Sequence, residues 1–313
     1  MHLVTYSAFG EEKVGAHTEV GVVDLKFGYK RYFESGSQTI FSDMRNLLSA
    51  GASGLKLAGE VVACVLDSEK NQNHVSLDSC IVRSGSYKLL APVTRPDKIL
   101  CPAVNYLEHG KESNVSPPPE PYFFGKYVNA LIGQDGTVII PSITKMPDYE
   151  VELAAIVGKR GKHITRSEVD QYIAGYTILN DVSMRDIQGW PKSNPTYGPH
   201  WLMGKGADTS CPLGPWIVTR DELPNPYPLR IKLSVNGSVK QDSLTSYQIF
   251  KVPELVSYLS QIMTLEPGDI VSTGTPAGVG RTTGVFLKEG DRIDAEVEKI
   301  GVLTSFVKYE SSS

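Results

Sequence analysis

The sequence contains no apolar run approaching the ~18–20 residues needed to cross a bilayer, so no membrane partner is expected. Cysteine is scarce: four residues in 313, at positions 64, 80, 101 and 211. None forms a Cys-x-x-Cys pair and none has histidines at zinc-site spacing, which argues against zinc and fits a reduced intracellular protein. Positive charge is not in surplus either. Lys+Arg number 31 against 35 Asp+Glu, a net charge of −4, so the basic face that a nucleic-acid partner would need is missing. The opening residues Met1-His2-Leu3-Val4-Thr5-Tyr6 lack the basic-then-apolar pattern of a signal peptide. Repeats and low-complexity tracts are absent too. A cytoplasmic globular protein is the expectation that remains.

The chain that is there divides at a proline-rich hinge. Residues 1–92 read as a small N-terminal domain, with a strand over 20–25, a short helix opened by Ser42 as N-cap, and a polar loop over 67–73. The stretch 89–96, with Pro92 and Pro96, leads into a second unit over 93–310 and a frayed tail, 311–313. That unit reads as short strands punctuated by Gly and Pro, at 98–101, 137–140, 150–157, 229–235, 269–273 and 291–297. Two helices interrupt them. One is opened by a capping box from Thr165 to Glu168; the other covers 252–263, with Leu255, Val256, Leu259 and Ile262 near helical spacing. Many strands with few helices predict a β-rich α+β fold, a mixed sheet roll rather than a doubly wound parallel sheet.

Three local patterns can carry chemistry. Glu150-Val151-Glu152 heads the apolar run Leu153-Ala154-Ala155-Ile156-Val157, and in a strand residues two apart face the same way. Two carboxylates that close repel unless something positive lies between them, and a hard cation would serve. Alone, the pair also reads as a solvated face. Asp181 follows the β-branched and aromatic run Tyr176-Thr177-Ile178-Leu179, at a strand end where ligands often sit, though turn-forming Asp is common there. Three oxygen donors without Cys or His favour Mg²⁺, Mn²⁺ or Ca²⁺ over zinc. His109 and Glu112 lie three apart, so on a helical turn Glu112 can hold one imidazole nitrogen and leave the other to move a proton. A surface histidine in a polar loop is the plainer alternative. Gly278-Val279-Gly280-Arg281-Thr282-Thr283-Gly284 matches a dinucleotide loop only loosely and is rejected as a nucleotide site.

Further segments stand in a fixed order around these three: 91–98 and Asn105-Tyr106; Asp148-Tyr149 ahead of Glu150; Ala174-Gly175-Tyr176-Thr177; Asn180-Asp181-Val182-Ser183 with Arg185-Asp186; 211–215; 235–237; 267–270; and Thr273-Gly274-Thr275-Pro276. Together, over residues 90–307, they resemble the fumarylacetoacetate hydrolase family. The resemblance implies a β-roll catalytic domain that pairs as a homodimer, with Glu150, Glu152 and Asp181 as metal ligands and His109 and Glu112 as the catalytic dyad. It implies that Lys205 faces the substrate, that Lys126 lies near it, and that Arg185, Gln188 and Thr275 border the pocket. Met184, Ile187, Asn129, Leu244 and the proline-rich stretch 189–200 depart from the family's usual pattern at the pocket's edge.

The activity so implied is divalent-metal-dependent chemistry on a small 2-oxo or β-diketo acid. Foremost is hydrolysis of a C–C bond in an acylpyruvate-like substrate through an enolate. The same site would serve an oxaloacetate tautomerase or decarboxylase, because both pass through the same enolate. An inactive metal-binding scaffold is a third reading, against which the His109–Glu112 pair and Lys205 speak.

Overall fold

A computed structural model describes residues 1–33, 38–71, 80–189 and 198–311. Most of the proline-rich stretch 189–200 and the last two residues of the tail lie outside that set, as do residues 72 and 73 of the expected polar loop.

The chain begins with a hairpin of His2–Ala8 and Glu11–Thr18. Its turn is Phe9-Gly10, both with positive φ, the twist that a two-residue hairpin favours. A third strand, Gly21–Asp24, runs into the helix Leu25–Tyr32, whose first turn is capped by the Asp24 carboxylate accepting from the Phe27 amide at 2.8 Å. The next helix, Met44–Ser49, is capped by Asp43 and not by Ser42. Asp43 accepts from the Asn46 amide at 2.8 Å, while the Ser42 hydroxyl donates back to the Thr39 carbonyl. The helix Gly51–Asn71 then takes in most of the expected polar loop. Ala58, Val61 and Val65 recur on one of its faces and are wholly buried, and that stripe outweighs the polar end at Asp67–Lys70.

One twelve-stranded sheet joins this leading part to the rest. His2–Ala8 pairs with Cys211–Thr219, which pairs with Ile173–Asn180, which pairs with Val151–Val157. Beyond it come Ile270–Ser272, then Ile99–Pro102 in parallel, then Phe123–Lys126. A second sheet of five strands contains Ser238–Leu244, Arg230–Val235, Arg292–Val297, Gly301–Tyr309 and Gly136–Ile140 in that order. This is the β-rich mixed roll expected from the sequence. Val151–Val157 is buried on both faces: Val151, Leu153, Ala155 and Val157 pack with Ile231, Leu233 and Ile293, while Ala154 and Ile156 pack toward Leu3, Val61 and Ile217. Each Val, Leu or Ile among them contributes roughly 1.5–3 kcal/mol when fully buried, so the strand is firmly anchored on both faces.

Two expected helices differ in extent. Glu168 does accept from the Thr165 amide at 3.1 Å, yet only a 3-10 turn, Val169–Gln171, follows. Within it only Val169 is buried, and no apolar stripe rewards a longer helix. The later helix is Val252–Ser260, stopping before Ile262, which is 75% exposed. Among the described residues no helix is long and apolar enough to cross a membrane.

Candidate active site

The carboxylate trio is assembled by strand register. Val151 lies opposite Asn180 and Glu152 opposite Leu179, so the end of Ile173–Asn180 delivers Asp181 beside Glu150. Two hydrogen bonds lock the junction: the Asp181 amide donates to the Glu150 carbonyl at 2.9 Å, and the Glu150 amide to Asn180 Oδ1 at 3.0 Å. Ligand oxygens of Glu150, Glu152 and Asp181 lie within 4.8 Å of one another, and all three residues are buried. Among the described residues this is the one cluster of His, Cys, Asp or Glu close enough to share a metal ion. Glu152 accepts from the Ser272 hydroxyl and, at 3.1 Å, from the Gly274 amide. Its burial, with Asp181 and Glu150 alongside, pushes its pKa well above the usual carboxylate range.

Three cations surround the trio. Lys205 Nζ bridges Glu150 Oε2 at 2.7 Å and Asp181 Oδ2 at 2.6 Å. Burial alone would lower the Lys205 pKa, but Asp181 and Glu150 hold it above its ordinary value. Arg185 bonds Glu150 Oε1 through Nη2, Asp148 Oδ2 through Nε at 2.7 Å, and Gln188 Oε1 through Nη1 at 3.1 Å. Against the cost of burial, Arg185 and Lys205 together keep Glu150 below the ordinary carboxylate range. Lys126 Nζ donates to the carbonyls of Lys205 (2.7 Å) and Val182 (3.3 Å) and to Ser210 Oγ (3.2 Å). An ammonium has three protons, and these acceptors account for them.

That allocation leaves Asp181 Oδ1 unusual. Lys126 Nζ sits 2.8 Å from it, yet the oxygen is buried with no hydrogen bond. Lys126 gives that oxygen charge contact without an aligned hydrogen bond, which leaves a lone pair open to a metal ion. The donor set is all oxygen, which suits a hard divalent ion. Nearby Cys101 and Cys211 are buried and kept as thiols, burial pushing Cys211 up to about 12, so they do not compete as thiolate ligands. The residues therefore fit a divalent metal.

The helix Leu107–Glu112 carries the second constellation. His109 Nδ1 and Glu112 Oε1 are 2.9 Å apart, and His109 lies within electrostatic reach of Glu150. Asn105 pins the start of this segment, donating to the carbonyls of Phe250 and Thr273 at 2.8 Å each. Thr275 is buried; its hydroxyl donates to the Val151 carbonyl at 2.9 Å and accepts from Gln241 Nε2 at 2.8 Å. Glu150, Asp181, Lys126, Arg185, Gln188 and Lys205 thus form one contact network. Glu152 adjoins it from Val151–Val157, Thr275 bonds the backbone of that strand from beyond Ile270–Ser272, and His109 pairs with Glu112.

Sequence reasoning gave no role to Asp148, Asn180 or Gln241. Asp148 orients Arg185; its signal was position, two residues before Glu150. Gln241 accepts from the Val151 amide at 3.0 Å and donates to the Pro276 carbonyl at 2.9 Å. It lies in the polar run Lys240-Gln241-Asp242, which offers no signal at all.

Residues 98–308 match the family described as fumarylacetoacetate (FAA) hydrolase C-terminal. The chain belongs to the fumarylacetoacetate hydrolase family. Its relatives in that family include the rat (Rattus norvegicus) protein named oxaloacetate tautomerase Fahd2a, mitochondrial, 38% identical over 98% of this chain and 91% of the relative. The human protein named oxaloacetate tautomerase FAHD2A, mitochondrial, is 45% identical over 70% of this chain and 68% of its own. Among solved structures, the fumarylacetoacetate hydrolase of Exiguobacterium antarcticum superposes with a TM-score of 0.75 at 29% identity, covering 99% of this chain and all of that one. The fumarylacetoacetate hydrolase family is metal-dependent, in keeping with the acidic trio.

Proposed function

We propose that this enzyme is an oxaloacetate tautomerase, interconverting the enol and keto forms of a small 2-oxo dicarboxylic acid with a divalent cation held by Glu150, Glu152 and Asp181. The observation that carries the chemistry is the His109–Glu112 pair set beside the buried carboxylate trio. The substrate is supported by the rat and human relatives, both named for that activity. C–C hydrolysis, foremost in the sequence reading, has support only at the level of the family.

A bound divalent ion, Mg²⁺ or Mn²⁺ in this reading, supplies Lewis acidity at the substrate's 2-oxo group. The chain's own residues handle the proton. Glu112 accepts from His109 Nδ1–H, which leaves Nε2 with a lone pair to take a proton from the carbon next to the carbonyl or return it there. Two of the Lys205 protons are directed to Glu150 and Asp181, so one remains for the oxygen that gains charge. Arg185, Gln188 and Thr275 border the pocket. By likeness to the named relatives we place the protein in mitochondria rather than the cytoplasm, and by the family resemblance as a homodimer.

The test uses oxaloacetate freshly dissolved in its enol form. Enol absorbance should decay faster with enzyme and Mg²⁺, with neither pyruvate (decarboxylation) nor oxalate plus acetate (hydrolysis) formed. EDTA should abolish the effect and added Mg²⁺ or Mn²⁺ restore it. His109→Ala should lose about 10²-fold or more in kcat while keeping its cation affinity. Stoichiometric product acids, or a fully active His109→Ala, would overturn the assignment.

A further inference from the structure

The loop rejected as a nucleotide site has another use. Its amides and one hydroxyl point at two carboxylates. Glu112 Oε2 accepts from the Gly278 amide at 3.0 Å and from Thr282 Oγ1 at 3.0 Å, leaving Oε1 for His109. Asp148 Oδ1 accepts from the Gly280 amide at 2.6 Å, and Asp148 Oδ2 from the Arg281 amide at 3.0 Å and from Arg185 Nε. One short turn thus grips the acid behind His109 and the acid behind Arg185, which itself bonds Glu150.

The turn is rigid. Gly278 has φ +102°, and a Cβ there would come 2.1 Å from the Lys240 carbonyl oxygen, so the loop lies directly on the backbone of Ser238–Leu244. A Cβ on Gly280 would come 2.6 Å from Asp148 Oδ1, so glycine is what lets the amide reach the carboxylate.

We propose that Gly278–Thr282 is a carboxylate cradle that positions the reacting groups, with Thr282 a positioning residue for His109 acting through Glu112. The inference rests on the tautomerase reading for its kinetic readout only. Thr282 has one hydroxyl proton and two acceptors in reach, Glu112 Oε2 and the Val279 carbonyl at 2.9 Å. The charged carboxylate is the stronger acceptor and takes it. Glu112 sits below the usual carboxylate range: burial works against this, but the His109 hydrogen bond, the Gly278 amide and the Thr282 hydroxyl outweigh it. An ionised, clamped Glu112 fixes His109 as the Nδ1–H tautomer with Nε2 free.

Thr282→Val keeps the side chain's shape and removes the donor. Losing one hydrogen bond to a charged group should lower kcat about tenfold, with KM within about twofold of wild type. Thr282→Ser should recover most of that loss, and Mn²⁺ affinity should stay unchanged in both variants. The second readout is independent of turnover: His109 ring ¹⁵N shifts should report the Nδ1–H tautomer in wild type and Thr282→Ser, and a mixture in Thr282→Val. Wild-type kcat and tautomer in Thr282→Val would overturn the proposal, as would a loss that serine does not restore or one accompanied by equal loss of Mn²⁺ binding. Should Thr282→Val fail to fold, Thr282→Ala takes its place with the same expectations. If wild-type enzyme leaves oxaloacetate unchanged, the functional reading falls, and the ¹⁵N comparison still decides the cradle.

Discussion

Lys126 and Lys205 carry the same ammonium group, but the acceptors around them assign them different work. Lys126 has every proton committed inside the protein, so its place is structural: it ties Asp181 to the end of the Trp201–Lys205 helix. Lys205 keeps one proton in hand. Lys126→Met should therefore cost about 3–5 kcal/mol of stability by urea denaturation, the usual penalty for stranding a buried charge. Lys205→Met should bind Mn²⁺ at least as well as wild type, since no ammonium then competes for Glu150 and Asp181, yet lose about 10²-fold or more in kcat. If Lys126→Met kept full stability, the structural role would be wrong. Of this site, the residues legible in the sequence were those whose spacing repeats a local period. Glu150 and Glu152 obey the strand's two-residue alternation, and His109 and Glu112 the helical turn. Lys126, Lys205 and Thr275 arrive from distant segments, where no local rule links them to the trio; only the family resemblance named them. Asp148, Asn180 and Gln241 act through hydrogen bonds to segments at least 30 residues away, which no local period announces.

At the scale of elements, strands were easier to read than the helices of the leading part. Strands such as Val151–Val157 announce themselves by short β-branched and apolar runs between Gly and Pro, here interrupted only by Glu152. The helix Gly51–Asn71 opens on Gly, Ala and Ser and closes on charge, so its buried stripe is visible only once its packing is known. The seam where the leading hairpin meets Cys211–Thr219 holds a pH-sensitive stack: His2 and His17 each lie flat on Trp216, with ring centres 4.9 and 4.7 Å away. Burial lowers both imidazole pKa values from 6.5, for His2 against the pull of Glu222. The folded chain therefore disfavours the charged rings. Below pH 6.5 the unfolded chain binds those protons more readily, and stability falls with pH; well above 6.5 the pair adds no slope. Melting temperatures from pH 8 down to about 5 should fall less steeply in a His2→Gln, His17→Gln variant than in wild type. Parallel curves would show that the stack is indifferent to protonation.

At the scale of the whole molecule, the active-site strand is the hinge between two cores. One of its faces belongs to the five-stranded sheet and the other to the leading hairpin and its helices, so neither half can shift without moving Glu150 and Glu152. The same rigidity governs the order in which the site fills. Asp148, Glu150, Glu152 and Asp181 face Lys126, Arg185 and Lys205, four acids against three bases. Even with Glu152 neutral, the pocket offers no surplus positive charge to a substrate bearing two carboxylates. A dianion approaching the ion-free protein is not attracted, whereas one approaching after a dication has entered meets a cavity two charges more positive. Filling should thus be sequential, ion before acid. Calorimetry with oxalate, an unreactive dianion, should give measurable heat with Mg²⁺ present and none after exhaustive chelation; equal binding in both would show that order of arrival is free.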